Sequence, residues 1–182
     1  MAVVLCRSCF FQLRRLRSIR HSVTSEVLHT LVHAFICSRL DYCNSALFGS
    51  PKFLLDRLQS VLNAAARLLL RIPKFEHISG AIREKLHWLP IERRITFKIC
   101  SIVRSCLVGE APAYLQELCV PVTTIAGRTS LRSSTRGDLV QRRFRMERYG
   151  RRGFSVSGPA LWNSLPVRII NSSTNRACSS GS

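Results

Sequence analysis

Between Pro51 and Pro73, the residues Leu54, Leu55, Leu58, Val61, Leu62, Ala65, Leu68 and Leu69 recur three and four apart. That spacing matches the 3.6-residue turn of an α-helix, and the stripe is wide enough to be covered along its whole length. A helix buried in that way needs other helices around it, so the chain is predicted to be mainly α. Ser50 can cap this helix and Pro51 can take its first position, where a missing N–H costs nothing.

The same period recurs on both sides. Over residues 9–21, Phe10, Leu13, Leu16 and Ile19 read as inward positions and the arginines as outward ones. Thr24 is the expected N-cap of a second helix, with Glu26 in its first turn complementing the helix dipole. Val27, Leu28, Leu31, Val32, Phe35 and Ile36 follow at helical spacing. Ser79 is expected to cap a short helix reaching Leu86. Pro90 opens another, with Ile91, Ile95, Ile99, Ile102 and Cys106 inward and Gly109 as its stop. A short helix over residues 112–118 comes before Pro121. These elements predict a helical bundle over residues 9–119, preceded by a poorly ordered stretch at 1–8.

Charge narrows the partners. The chain holds 28 Lys+Arg against 10 Asp+Glu, a formal net charge of +18. Such a surplus repels itself and calls for a polyanion, nucleic acid before a membrane surface. No run of ~18 uncharged apolar residues is present, which excludes a membrane-spanning helix. Of the basic residues, 24 are Arg and only 4 are Lys. Guanidinium groups hold phosphate oxygens two at a time and stack on bases, although codon drift also produces such a bias.

The first acidic residue is Glu26, and Arg7, Arg14, Arg15, Arg17 and Arg20 stand before it. An acid-free, Arg-rich amphipathic stretch fits a mitochondrial transit peptide as well as a surface helix, and periodicity leaves both readings open.

The eight cysteines are Cys6, Cys9, Cys37, Cys43, Cys100, Cys106, Cys119 and Cys178. Cys37, Cys43, Cys100 and Cys106 fall in apolar helical stretches, where cysteine packs as a small hydrophobe. Cys6 and Cys9 with His29 and His33 carry zinc-ligand chemistry, but nineteen residues separate the pairs. A classical finger has about twelve. Reduced core cysteines and no metal site are therefore expected, and no cofactor.

Beyond Pro121 the helical period is lost. Residues 128–152 contain nine arginines against Asp138 and Glu147, with Phe144 and Tyr149 among them and Phe154 just beyond. Arginines interleaved with aromatics suit a groove that neutralises a backbone and stacks bases. A wet loop that touches nothing is the plainer alternative. Residues 120–157 therefore read as a basic irregular segment. Residues 158–170, opening Gly158-Pro159-Ala160-Leu161-Trp162-Asn163-Ser164-Leu165-Pro166, read as an apolar turn pinning Trp162 onto the bundle. Residues 171–182 are Ser-rich and expected to be a disordered tail. Asn171-Ser172-Ser173 fits a glycosylation acceptor, with nothing else pointing to secretion.

Several of these strings also carry a resemblance. Ser38-Arg39-Leu40-Asp41-Tyr42-Cys43-Asn44, the string from Leu58 to Arg67, and Leu86-His87-Trp88-Leu89-Pro90-Ile91 are similar to signatures of jockey-like non-LTR (LINE-type) retrotransposon reverse transcriptases. Arg93-Arg94-Ile95-Thr96-Phe97-Lys98, Ala111-Pro112-Ala113-Tyr114-Leu115 and residues 154–166 continue the likeness in the same order. It covers about residues 8–170 and resembles the region after the polymerase palm, namely the thumb and the segment following it.

The resemblance implies a thumb-like helical bundle followed by an irregular Arg-rich segment, binding RNA or DNA through backbone phosphates without reading sequence. The arginines it and the charge pattern nominate are Arg14, Arg15, Arg17, Arg128, Arg132, Arg136, Arg142, Arg143, Arg145, Arg148, Arg151 and Arg152. It also favours a helix leading into the thumb over a transit peptide, and His87 with Trp88 as a stacked structural corner.

The departure from the family is in the acids. Polymerases of this type seat two Mg²⁺ ions on palm aspartates, and two-metal chemistry cannot do without them. This chain has only Asp41, Asp56 and Asp138, none with an acidic neighbour in sequence. The expectation is a non-catalytic remnant of a truncated element copy, starting at an internal Met1 and lacking the endonuclease region. It would be nuclear or cytoplasmic and would polymerise only with an intact palm supplied in trans. A basic mitochondrial protein associated with nucleic acid or ribosomes is the alternative.

Overall fold

A computed structural model of the chain describes residues 2–42, 47–125, 136–142 and 153–174. The fold is mainly α, as the apolar period predicts. The chain divides into two compact units, Met1–Ile95 and Thr96–Ser182. This differs from the expected bundle over 9–119, because the division falls inside a continuous helix.

In the first unit, helix α1 spans Ala2–Ile19, so helix replaces the poorly ordered stretch expected at 1–8. Its buried stripe is Cys6, Cys9, Leu13 and Leu16, spaced three, four and three apart. Phe10 and Ile19, read as inward, are 45% and 41% exposed. The two cysteines fill the inward positions upstream and turn Phe10 outward.

Thr24 caps α2 (Ser25–Val32) as expected, its hydroxyl accepting from Val27 N at 3.4 Å. A π-helical turn, His33–Cys37, and α3, Ser38–Asp41, continue it. The wider turn changes which side chains face inward. Leu28, Val32, Ile36, Cys37 and Leu40 are buried, whereas Phe35 in the turn is exposed against the straight-helix reading; Val27, upstream of the turn, is exposed as well.

Helix α4 (Lys52–Leu70) buries Leu58, Val61, Leu62, Ala65, Ala66 and Leu68 and packs on α1 and α2. Pro51 is its N-cap rather than its first residue, and Ser50 makes no cap bond to it. Helix α5 (Ser79–Glu84) follows, with Ile78 and Ile82 packed on Ala66. Its cap is Ile78, not Ser79. His87 then adopts a left-handed backbone (φ 53°), and Trp88 N donates to Ile82 O at 3.1 Å.

Helix α6 (Ile91–Val108) bridges the division, and Gly109 (φ 83°) follows it as anticipated. In the second unit, Val103, Cys106, Cys119, Leu139, Trp162 and Ile170 form one core. Val103 is fully buried and Ile102, the expected inward residue, only half-buried. After α7 (Ala113–Gln116), Pro121 pairs with Leu139 in an antiparallel bridge and a 3₁₀ turn (Val122–Thr124) follows it.

Residues 158–170 do not form a single turn: α8 (Phe154–Asn163) and α9 (Val167–Thr174) run through the region. Pro159 lies inside α8, where a missing N–H argues against a helix from sequence alone. Trp162 is 2% exposed and its Nε1 donates to Gly137 O at 3.3 Å. Helix α9 extends past residue 170, so the expected tail begins in helix, and residues 175–182 lie outside the described residues.

Candidate nucleic-acid interface

Helix α1 has no acidic residue. With Cys6, Cys9, Leu13 and Leu16 turned inward, the helical period forces Arg7, Phe11 and Arg14 onto the opposite side. Arg7, Arg14, Arg15 and Arg17 are all exposed, and Phe11 is 57% exposed. The Arg15 guanidinium lies 5.9 Å from the centre of the Phe11 ring, a cation–π contact that holds it over the surface. From α3, Arg39 reaches α1 and its Nη1 donates to Ser8 Oγ, adding a fifth exposed arginine. Sequence reasoning missed Phe10, Phe11 and Arg39. The available signal was Cys6 and Cys9 as inward residues, which a preference for Phe over Cys in the core concealed.

The remaining nominated arginines divide. Arg136 Nη2 donates to Asn163 O at 2.7 Å and to Leu165 O at 2.9 Å, and its Nε lies 3.4 Å from Asp138 Oδ1. Those bonds satisfy carbonyls at the end of α8, so Nη2 of Arg136 is committed to the fold. Arg142 is exposed, with Nη2 donating to Glu117 O at 3.2 Å. Arg128, Arg132, Arg143, Arg145, Arg148, Arg151 and Arg152 lie outside the described residues.

Beside the basic face runs a groove of about 420 Å³. Gln12, Arg15, Ser18 and Ile19 line one wall, and Leu31 and Phe35 the other. A second concavity, of about 600 Å³, lies between α4, α5 and the first turn of α6. Lys52 and Arg83 line it together with Asp56 and Glu92, so its charges offset one another.

The three aspartates have separate settings. Asp41 is gripped by Arg94, Asp56 lines the larger concavity, and Asp138 faces Arg136. Among the described residues no three His, Cys, Asp or Glu side chains gather to hold a metal ion. Cys6 and Cys9 point into the core of the first unit. Burial pushes both thiols up against the opposing pull of Arg57 and Arg39 respectively, which disfavours the thiolate a metal needs. The expected His87–Trp88 corner is corrected: His29 meets Trp88, ring centres 6.3 Å apart and edge to face. No described helix is long and apolar enough to cross a membrane.

Comparisons with protein-family models, curated proteins and solved structures return no match.

Proposed function

We propose that this chain is a non-catalytic nucleic-acid-binding module that grips RNA or DNA through backbone phosphates without reading base sequence. The observation that carries this reading is the outer face of α1. Arg7, Arg14, Arg15 and Arg17 stand exposed beside Phe10 and Phe11, with Arg39 alongside and no acid on the helix. Cations set among solvent-facing aromatic rings suit a sugar–phosphate chain with its bases. The resemblance to the thumb and post-thumb region of LINE-type reverse transcriptases supplies an origin for such a module.

The same helix is what a mitochondrial presequence would use. Burial of its apolar stripe against α4 favours a built-in element of the first unit over a segment awaiting a receptor.

Filter binding to unrelated RNA and DNA oligonucleotides, at about 50 and about 200 mM salt, tests the proposal. If five arginines meet phosphates, the log–log slope should be about −4, with similar affinities across sequences. Affinity that ignores salt would remove the reading. Nucleotide incorporation by the purified chain with Mg²⁺ would remove the non-catalytic part.

A further inference from the structure

We propose that the groove between α1 and the α2–π segment receives one unstacked base of a single-stranded nucleic acid. Arg15 at its rim would take the adjoining phosphate. This deepens the proposed function and rests on it.

A nucleobase has two apolar faces and a polar edge, and the groove offers matching surfaces. The Phe35 ring, 40% exposed, and Leu31 face Ile19 and the buried Leu16 across the opening. Gln12 brings an amide with two donors and an acceptor, the complement of a base edge. Ser18 donates its hydroxyl proton to Arg15 O at 2.8 Å, leaving its oxygen to accept. The volume of about 420 Å³ lies in the ordinary range for a small-ligand site.

Two features argue for a nucleotide over an apolar helix as the occupant. Arg15 sits both in the groove and over Phe11, so an apolar partner would strip water from a cation and return nothing. A phosphate attached to the bound base would pair with it. Furthermore, Phe35 is presented by the π-helical turn His33–Cys37, while Ile36 and Cys37 of the same turn fill the core. Turns of that kind concentrate at functional sites, and this one leaves a ring outside that packing does not require.

The experiment measures equilibrium binding of the full chain to a short single strand and to the same strand with abasic sites. The base-bearing strand should bind about tenfold more tightly, the effect of stacking one base on an aromatic ring. Phe35→Leu should abolish that difference, with circular dichroism confirming its helices. Equal affinity of the unsubstituted chain for both strands would overturn the groove assignment while leaving phosphate binding intact. Absence of binding to either strand at low salt would overturn the nucleic-acid reading and the groove with it.

Discussion

Arg94 in the first turn of α6 holds Asp41 at the end of α3 through two parallel hydrogen bonds, Nε to Oδ1 at 2.7 Å and Nη2 to Oδ2 at 2.8 Å. The pair joins segments 38–44 and 93–98 across more than fifty residues of chain. The middle of α4 is tied to the start of α6 as well, since Gln59 Oε1 accepts from Ile91 N at 2.9 Å. These four residues therefore hold the first unit's helices to one another.

Breaking the Arg94–Asp41 fork should destabilise the chain. Both side chains are partly buried, at 17% and 33% exposure, so removing either one leaves the other's charge less compensated where water reaches it poorly. Asp41→Asn or Arg94→Met should each cost about 2 kcal/mol in urea denaturation. The double variant should lose less than the sum, which a double-mutant cycle reads directly.

Stability should fall in alkali. Burial pushes the Cys37 thiol up to about 11, with Arg94 opposing it, and the Cys119 thiol up to about 12. Below the ordinary thiol value of 9.0 both folded and unfolded chains hold their protons. Between about 9 and 11 the unfolded chain releases protons that the folded one keeps, so folding is increasingly disfavoured as pH rises. Urea midpoints in reductant from about pH 8 to about pH 10.5 should decline, and Cys37→Ala should flatten the decline.

Asn163 clamps the buried Leu139 from both sides. Its Oδ1 accepts from Leu139 N at 2.8 Å and its Nδ2 donates to Leu139 O at 2.9 Å. Asn163→Ala orphans two backbone groups beside Trp162 and should cost about 2–3 kcal/mol, with a red-shifted tryptophan emission on partial opening.

The arginines should separate by assay. Arg136→Ala removes the bonds to Asn163 O and Leu165 O and should lower stability by about 1–2 kcal/mol with little change in nucleic-acid affinity. The triple change Arg14→Ala, Arg15→Ala and Arg17→Ala touches exposed positions and should leave the melting temperature nearly unchanged. It should make the salt slope shallower by about 2–3. Reversed effects would exchange the roles assigned to the two groups.

Elements set by local chemistry were legible in advance. Thr24 caps α2, Gly109 follows α6, and the middle of the α4 stripe (Leu58, Val61, Leu62, Ala65 and Leu68) is buried where its period says, while Leu54, Leu55 and Leu69 at its ends are only half-buried; each depends on neighbours within a turn or two. Helix α8 was not legible. Pro159 within it penalises a local helix, and packing of Trp162 into the core with Val103 and Leu139 outweighs that penalty. Nor could the π turn be read, since one widened turn leaves no compositional mark.

By itself the sequence determined a helical chain with a large surplus of guanidinium groups and an acid-free first helix. Periodicity and charge are properties of the residues alone. Only the tertiary structure decided which arginines are tied to carbonyls and which face water, that Phe10, Phe11 and Phe35 lie outside, and that His29 rather than His87 meets Trp88. Exposure and partnership belong to pairs of segments distant in sequence, and they exist only once those segments have packed.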